Sequence, residues 1–346
     1  MDKICKPSRN SSLDLLRGIA IVIMVFANSA PYILTTSAPP LLIRVFFSCA
    51  APLFIFLSGY SLNLALKNNK SIMELIIRAA QILLIAIAID VFIWRIVPFE
   101  TFDVLYLISI SQLFLILLHP QKSNFKLIIL VGLIILFCLL ISNFTYRLQL
   151  VEHEITNFNI ANYSLLSSIQ RMLFDGWFPI LPWFIIALSG YLISDYSIVL
   201  KRTFGFGLGL TFLIASLFVF HLFPNFVNQP REKYLEIFYP VSFPYFLLLI
   251  GLFLVTIVII NLKLKAVSFL KQLGMMSLFA YPLHVLLIQF VVIKTHYSFA
   301  NEYVLALIIG IIIVVLIYLA TICINKLKTT FDKNYFLKFI LFLLGL

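Results

Sequence analysis

Ten stretches of roughly 20 apolar residues follow one another through the chain with short polar connections between them, and a segment of that length and character spans a bilayer only as a helix. They lie at roughly 13–32, 41–66, 72–97, 102–118, 126–143, 177–195, 204–223, 238–262, 275–293 and 303–325. The composition agrees: 62% of the 346 residues are hydrophobic and 11% are charged, against about a quarter charged in soluble domains, and the mean hydropathy is +1.09. The expectation is an all-α polytopic integral membrane protein, residues 1–346 forming one transmembrane domain. The first apolar run is long and lacks a small-residue cleavage site, so it reads as a retained span.

Charge sets the orientation. Of the 25 Lys and Arg, 18 fall on one side of the alternating connections, among them Lys3, Lys6, Lys67, Lys70, Lys201 and Lys265, and 7 on the other. By the positive-inside rule both termini are cytoplasmic. This asymmetry accounts for most of the +11 net charge. The lysines are spread thinly and form no basic stripe, which argues against a nucleic-acid partner. The bilayer is the partner, and the location expected is a bacterial cytoplasmic (inner) membrane. Two longer outer segments stand out. Residues 144–176 carry Glu152, His153 and Glu154, and residues 224–237 carry Arg231, Glu232, Lys233 and Glu236; either could roof a cavity. Residues 326–346 read as a cytoplasmic amphipathic tail. The four cysteines, Cys5, Cys49, Cys138 and Cys323, are scattered without ligand spacing, so no metal is expected.

The first span places ionisable groups where lipid would reject them. At 100° per residue Asp14, Arg17, Ile21, Met24 and Asn28 share one face, which should look into protein or water. Eleven residues separate Arg17 from Asn28, about 16 Å along the helix. Asp14 and Arg17 either pair locally or present a guanidinium to phosphates. Asn28 either bridges helices or orients a substrate and donates to a developing oxyanion. In the ninth span Ser277, Tyr281 and His284 share a face. His284 is either a satisfied structural group or a general base. Arg44 is an interface anchor or holds an acidic or phosphorylated acceptor. Asp90, Arg95 and Asp103 read as a local charge network. Pro179 and Pro182, between Trp177 and Trp183, must distort their helix and free carbonyls.

The wording of several segments resembles a known family. Ser12 to Asn28, Arg44 to Gly59 with its Ala51-Pro52-Leu53-Phe54 core, Gly176 to Trp183 followed by Ser189-Gly190, Tyr239 to Pro244, and Leu273 to His284 are similar, in that order, to segments of the heparan-α-glucosaminide N-acetyltransferase-like group of transmembrane acyltransferases. The resemblance implies transfer of an acetyl or similar group from cytoplasmic acyl-CoA, as in acetyl-CoA, to a hydroxyl or amine of a glycan or lipid-linked sugar at the outer face. With the residue readings above, the candidate site is Asp14 and Arg17 for the donor, Asn28 and His284 for catalysis, and Arg44, Trp183 and Tyr281 for the acceptor; the resemblance supports Asn28 by its spacing from Arg17, supports His284, and implies a homodimer as an expectation. The chain departs from the family in one respect: residues 29–43 contain no histidine, and Ser48 stands where other branches carry one in the second helix. Either His284 or His153 takes the base role, or the scaffold is kept without that chemistry. The alternative function is a transporter, a flippase or a catalytically silent scaffold.

The orientation is testable directly. A fluorescent protein fused after Leu346 should fluoresce and alkaline phosphatase fused there should be inactive, while the same reporters inserted within 144–176 should behave in the opposite way.

Overall fold

The computed structural model describes residues 10–34, 39–119, 132, 165–194, 202–224, 235–238, 242–262, 268–293 and 301–330. Among them every regular element is helical. In chain order these are α1 (Ser11–Ser29), α2 (Leu41–Phe47), α3 (Ala50–Lys67), α4 (Ile72–Ala88), α5 (Val104–Leu118), α6 (Leu165–Gln170), α7 (Ile180–Ile193), α8 (Arg202–Leu222), α9 (Phe243–Asn261), α10 (Ser268–Met275), α11 (Ser277–Leu287) and α12 (Glu302–Thr330). Among the described residues six segments are long and apolar enough to cross a membrane, and the pair Ser268–Met275 and Ser277–Val292, bent by 90° at its break, passes the same test when taken together. Helices α5 and α7 are apolar but shorter. The expected span at 126–143 lies outside the described residues apart from Gly132, as do 144–164, 225–234 and the tail beyond Thr330.

Local chemistry sets the helix ends. Asn10 caps α1 by accepting from the Ser12 N–H at 3.0 Å, with Asp14 in the first turn where the helix dipole favours an anion. Asp103 caps α5 through the Val104 N–H at 2.6 Å. The prolines act as expected in α7: Pro179 precedes its first turn and Leu181 has non-helical angles of φ −101° and ψ 116°. Two expected single helices are interrupted. The span 41–66 breaks at Ser48 and Cys49, giving α2 and α3. The span 72–97 passes from α4 into a wider π-type turn at Ile89–Trp94 and stops at Arg95, whose φ is +58°.

Helix α1 is the axis of the bundle. In its membrane window 72% is buried, against 22% for α8 and 33% for α12. It packs on α3, α10, α11 and α12. Lipid supplies no hydrophobic force between helices, so close association depends on small residues that let backbones meet. Two reciprocal glycine pairs do this. A Cβ on Gly18 would overlap the carbonyl oxygen of Leu270, and one on Gly274 would overlap that of Asp14, so α1 and α10 touch backbone to backbone. Gly59 meets the carbonyl of Ala187 in the same way, and Gly190 that of Phe56, which locks α3 to α7.

These contacts predict the cost of a single methyl. Gly59→Ala or Gly190→Ala must push α3 from α7 and should destabilise by at least about 1–3 kcal/mol, read as a lower melting temperature in detergent. Gly207 has open space where its Cβ would be, so Gly207→Ala should leave stability unchanged or raise it by up to about 1 kcal/mol.

Candidate active site

The C-terminal end of α1 meets α11 through a side-chain bond. Asn28 Nδ2 lies 2.9 Å from His284 Nε2. An amide nitrogen only donates, so Nε2 accepts, which leaves the ring hydrogen on Nδ1. Nδ1 in turn bonds the Tyr281 carbonyl one turn back. Both ring nitrogens are thereby satisfied and the fully buried imidazole is neutral. The sharp bend at Met276 between α10 and α11 lets this helix end turn back toward α1.

Around this pair lies a cavity of about 290 Å³, lined by Met24, Ala27 and Asn28 of α1, by Tyr281 and Val285 of α11, and by residues of several further segments. Three acids reach it: Asp90, Asp103 and Glu236. Aromatic walls come from Tyr32, Trp94, Trp177, Phe178 and Phe238, and no Lys, Arg or His is among the described lining residues. The expected charge network around Asp90, Arg95 and Asp103 takes another form. The Tyr106 hydroxyl donates to Asp90 Oδ2 at 2.6 Å, and the Tyr281 hydroxyl donates to Asp103 Oδ2 at 2.5 Å. Tyrosine hydroxyls, not Arg95, are the partners these carboxylates show. The loop between α4 and α5 bends hard to bring them here, with positive φ at Arg95, Phe99 and Phe102, conformations that cost energy outside glycine and cluster at functional sites. It is pinned by Trp177 N–H to Thr101 O at 2.8 Å and Phe178 N–H to Phe102 O at 3.0 Å.

The third acid arrives on a non-helical segment, 235–238. Arg44 Nε donates to the Leu235 carbonyl at 2.6 Å, and the Ile237 N–H donates to Ser48 Oγ at 2.9 Å. Ser48 is itself held, its hydroxyl donating to Arg44 O at 2.7 Å and its carbonyl accepting from the Tyr245 hydroxyl at 2.9 Å. Ser48 thus positions the segment that carries Glu236. Burial pushes the Glu236 carboxyl up to about 7, while backbone N–H donation and the nearby Arg44 pull the other way.

The structure therefore brings Asn28, His284 and Tyr281 together and sets the other expected site residues apart. His284 is not on the cavity lining and touches it through Asn28. Arg44, 5% exposed, does not reach the lining either and anchors Leu235. Trp183, 2% exposed, stands one layer behind it, packed edge-on against Phe178 and Phe238 with ring centroids 4.9 Å away in each case. The lining on α1 ends at Met24, and Ile21 is fully buried. Arg17, farther down the helix, pairs with Asp14 at 3.2 Å and donates to Ser61 Oγ at 2.5 Å. His153 lies outside the described residues. Two groups are not singled out by the sequence: Asp103, which reads there as part of a charge network, and Glu236, which is one acid among several in the 224–237 segment. Only its neighbours reveal the first as a tyrosine acceptor and the second as a cavity group.

Comparison with known families matches residues 9–211 to the family model described as heparan-alpha-glucosaminide N-acetyltransferase, catalytic. No curated protein matches the chain. The matched region includes Asp14, Arg17, Asn28, Asp90 and Asp103, while Glu236, Tyr281 and His284 lie beyond it.

Two measurements probe this arrangement. Tyr281→Phe leaves Asp103 without its phenolic donor in a buried place and should cost about 1–3 kcal/mol, seen as a lower melting temperature. The raised Glu236 carboxyl favours the protonated folded form, so its contribution to stability is complete below about 4.5 and is lost as pH rises through about 7. Stability measured from pH 6 to 8 should fall in the wild type and fall less in Glu236→Gln.

Proposed function

Since this chain belongs to the heparan-alpha-glucosaminide N-acetyltransferase catalytic family, we propose that it is a membrane-embedded acetyltransferase that passes an acetyl group from cytoplasmic acetyl-CoA to a hydroxyl or amine of a sugar in the cavity at the Asn28 end of α1. The observation that carries the reading is the bond between Asn28 and the neutral His284 on the wall of an acid-lined, aromatic cavity. Transfer forms a C–O or C–N bond at the acyl carbon and breaks the C–S bond of the thioester, and the proton lost by the nucleophile ends on the departing thiolate, which leaves as the free thiol of CoA. With one amide hydrogen held by His284, Asn28 keeps its second N–H and its carbonyl oxygen for the reacting groups. The N–H suits the oxyanion that develops on the thioester carbonyl, and the carbonyl suits the O–H or N–H of the incoming nucleophile. Fixing the amide in advance is what makes such a donor effective, because no reorganisation is then needed as charge develops.

In this reading His284 acts through Asn28, as a positioning residue. Its Nε2 accepts from the amide and its Nδ1 is tied to the Tyr281 carbonyl, so the imidazole has no nitrogen lone pair left for a substrate. Tyr281 bridges His284 and Asp103 and shapes the acceptor side. Arg44 and Trp183 serve the acceptor indirectly, by holding the 235–238 segment and the aromatic wall. Arg17, partly exposed and held by Asp14 and Ser61, is assigned to the phosphates of the donor at the cytoplasmic face. A guanidinium restrained by Asp14 and Ser61 is already ordered, which lowers the cost of engaging phosphate.

Purified protein incubated with labelled acetyl-CoA tests the proposal. Saturable donor binding should be present in the wild type and weakened in Arg17→Ala. Asn28→Ala should lower transfer by about a hundredfold with donor binding intact, and His284→Ala should do the same. His284→Gln, whose amide oxygen can still accept from Asn28, should recover at least about a tenth of wild-type transfer if positioning is the role. Absence of donor binding by folded wild-type protein would favour the transporter or silent-scaffold alternative.

A further inference from the structure

Among the described residues, one carboxyl group on the cavity wall has an oxygen buried without a hydrogen-bond partner. Asp103 spends both oxygens, Oδ1 on the Val104 N–H and Oδ2 on the Tyr281 hydroxyl. Asp90 takes the Tyr106 hydroxyl on Oδ2. Glu236 differs: it is 6% exposed, it lines the cavity, and its Oε2 has no hydrogen-bond partner among the described residues. A buried carboxylate oxygen without a partner costs about 1–3 kcal/mol or more, and such a cost persists where the group serves a ligand. The cost is also built in. The residues on either side of Glu236 are tied down, Leu235 by Arg44 and Ile237 by Ser48, so the side chain cannot leave the wall by a movement of its own segment.

The surroundings define what would satisfy it. Three acids and no described basic residue face this space, so a phosphate, sulfate or carboxylate brought into it would give up its water in a site of low dielectric and find no described cation to pair with. Flat aromatic faces at Trp94, Trp177 and Phe238 offer apolar contact to the C–H faces of a ring. We infer that Glu236 is an acceptor-recognition residue, its Oε2 receiving a hydrogen bond from a hydroxyl or ammonium group of a sugar that carries no negative charge. The inference rests on the reading of this cavity as the acceptor site, and it goes beyond that reading by naming the contact and the class of sugar excluded.

Full-length protein in detergent, titrated with methyl glucoside, methyl glucosaminide and methyl glucuronide while tryptophan fluorescence is followed, tests it, since Trp94 and Trp177 line the cavity. The neutral and the amino sugar should give saturable changes in the wild type, with the glucuronide at least about tenfold weaker. Glu236→Gln should lose about tenfold in affinity for the sugars that bind and should narrow the gap to the glucuronide. A preference for the glucosaminide over the glucoside that vanishes in the variant identifies ammonium as the donor, and equal losses identify a hydroxyl. Unchanged binding in a folded Glu236→Gln protein overturns the inference while the acceptor cavity stands. A wild type that binds none of the three sugars overturns the cavity reading as well. Should the variant fail to fold, glucuronide binding as tight as glucoside binding in the wild type still overturns the inference.

Discussion

The structure depends on backbones brought into direct contact by glycine. Gly18 and Gly274 let α1 and α10 meet with no side chain between them, and the 90° bend that follows at Met276 turns α11 back along α1. His284 reaches Asn28 by that route. A second glycine pair, Gly59 and Gly190, fixes α3 against α7, and these helices lead into the segments whose residues wall the cavity. In a solvent as apolar as the helix surfaces, packing of this closeness replaces the hydrophobic drive of a soluble core. The positions of the functional side chains are therefore inherited from contacts that contain no functional side chain.

Within such a bundle each polar group has to be answered by another, and the ways in which this is done separate structure from site. Toward the opposite end of the bundle Asn63 donates to the Tyr191 carbonyl at 2.8 Å and to Ser194 at 2.7 Å, and His119 lies 2.7 Å from the Tyr191 hydroxyl. These groups satisfy one another and line no part of the described cavity. At the Asn28 end the polar groups also pair, yet they pair along a wall with space in front of it. Tyrosine-bonded carboxyls, a hydrogen-bonded imidazole, the Asn28 amide and a buried carboxyl with an unpartnered oxygen stand along that wall.

Ser48, which stands where the resemblance places a histidine in other branches, supplies a small hydroxyl at a helix break. That hydroxyl accepts from Ile237 and donates to the Arg44 carbonyl. The serine thus ties a distant non-helical segment, and Glu236 with it, to the cavity. Arg44 takes part in the same tie. A position that reads as a loss of chemistry in the linear pattern is a gain of positioning in three dimensions.

Apolar length and the cost of unsatisfied backbone in lipid made the helical class legible from residue order alone, as did the distorting effect of Pro179 and Pro182 on α7. The polar stripe of α1 was legible too, because a helix has one period and Asp14, Arg17 and Asn28 must then share a face. What periodicity does not encode is which neighbour each face meets. His284 and Asn28 are 256 residues apart, and no local signal pairs them. Tyrosine hydroxyls for Asp90 and Asp103, in place of Arg95, were equally invisible, since the partner depends on a loop forced into positive φ. The polar face of α1 was expected to look into protein or water along its length, and the two divide it: the cavity lining on α1 stops at Met24, and Ile21 is buried. Periodicity tells which residues face inward; only packing decides whether they face a space or another side chain.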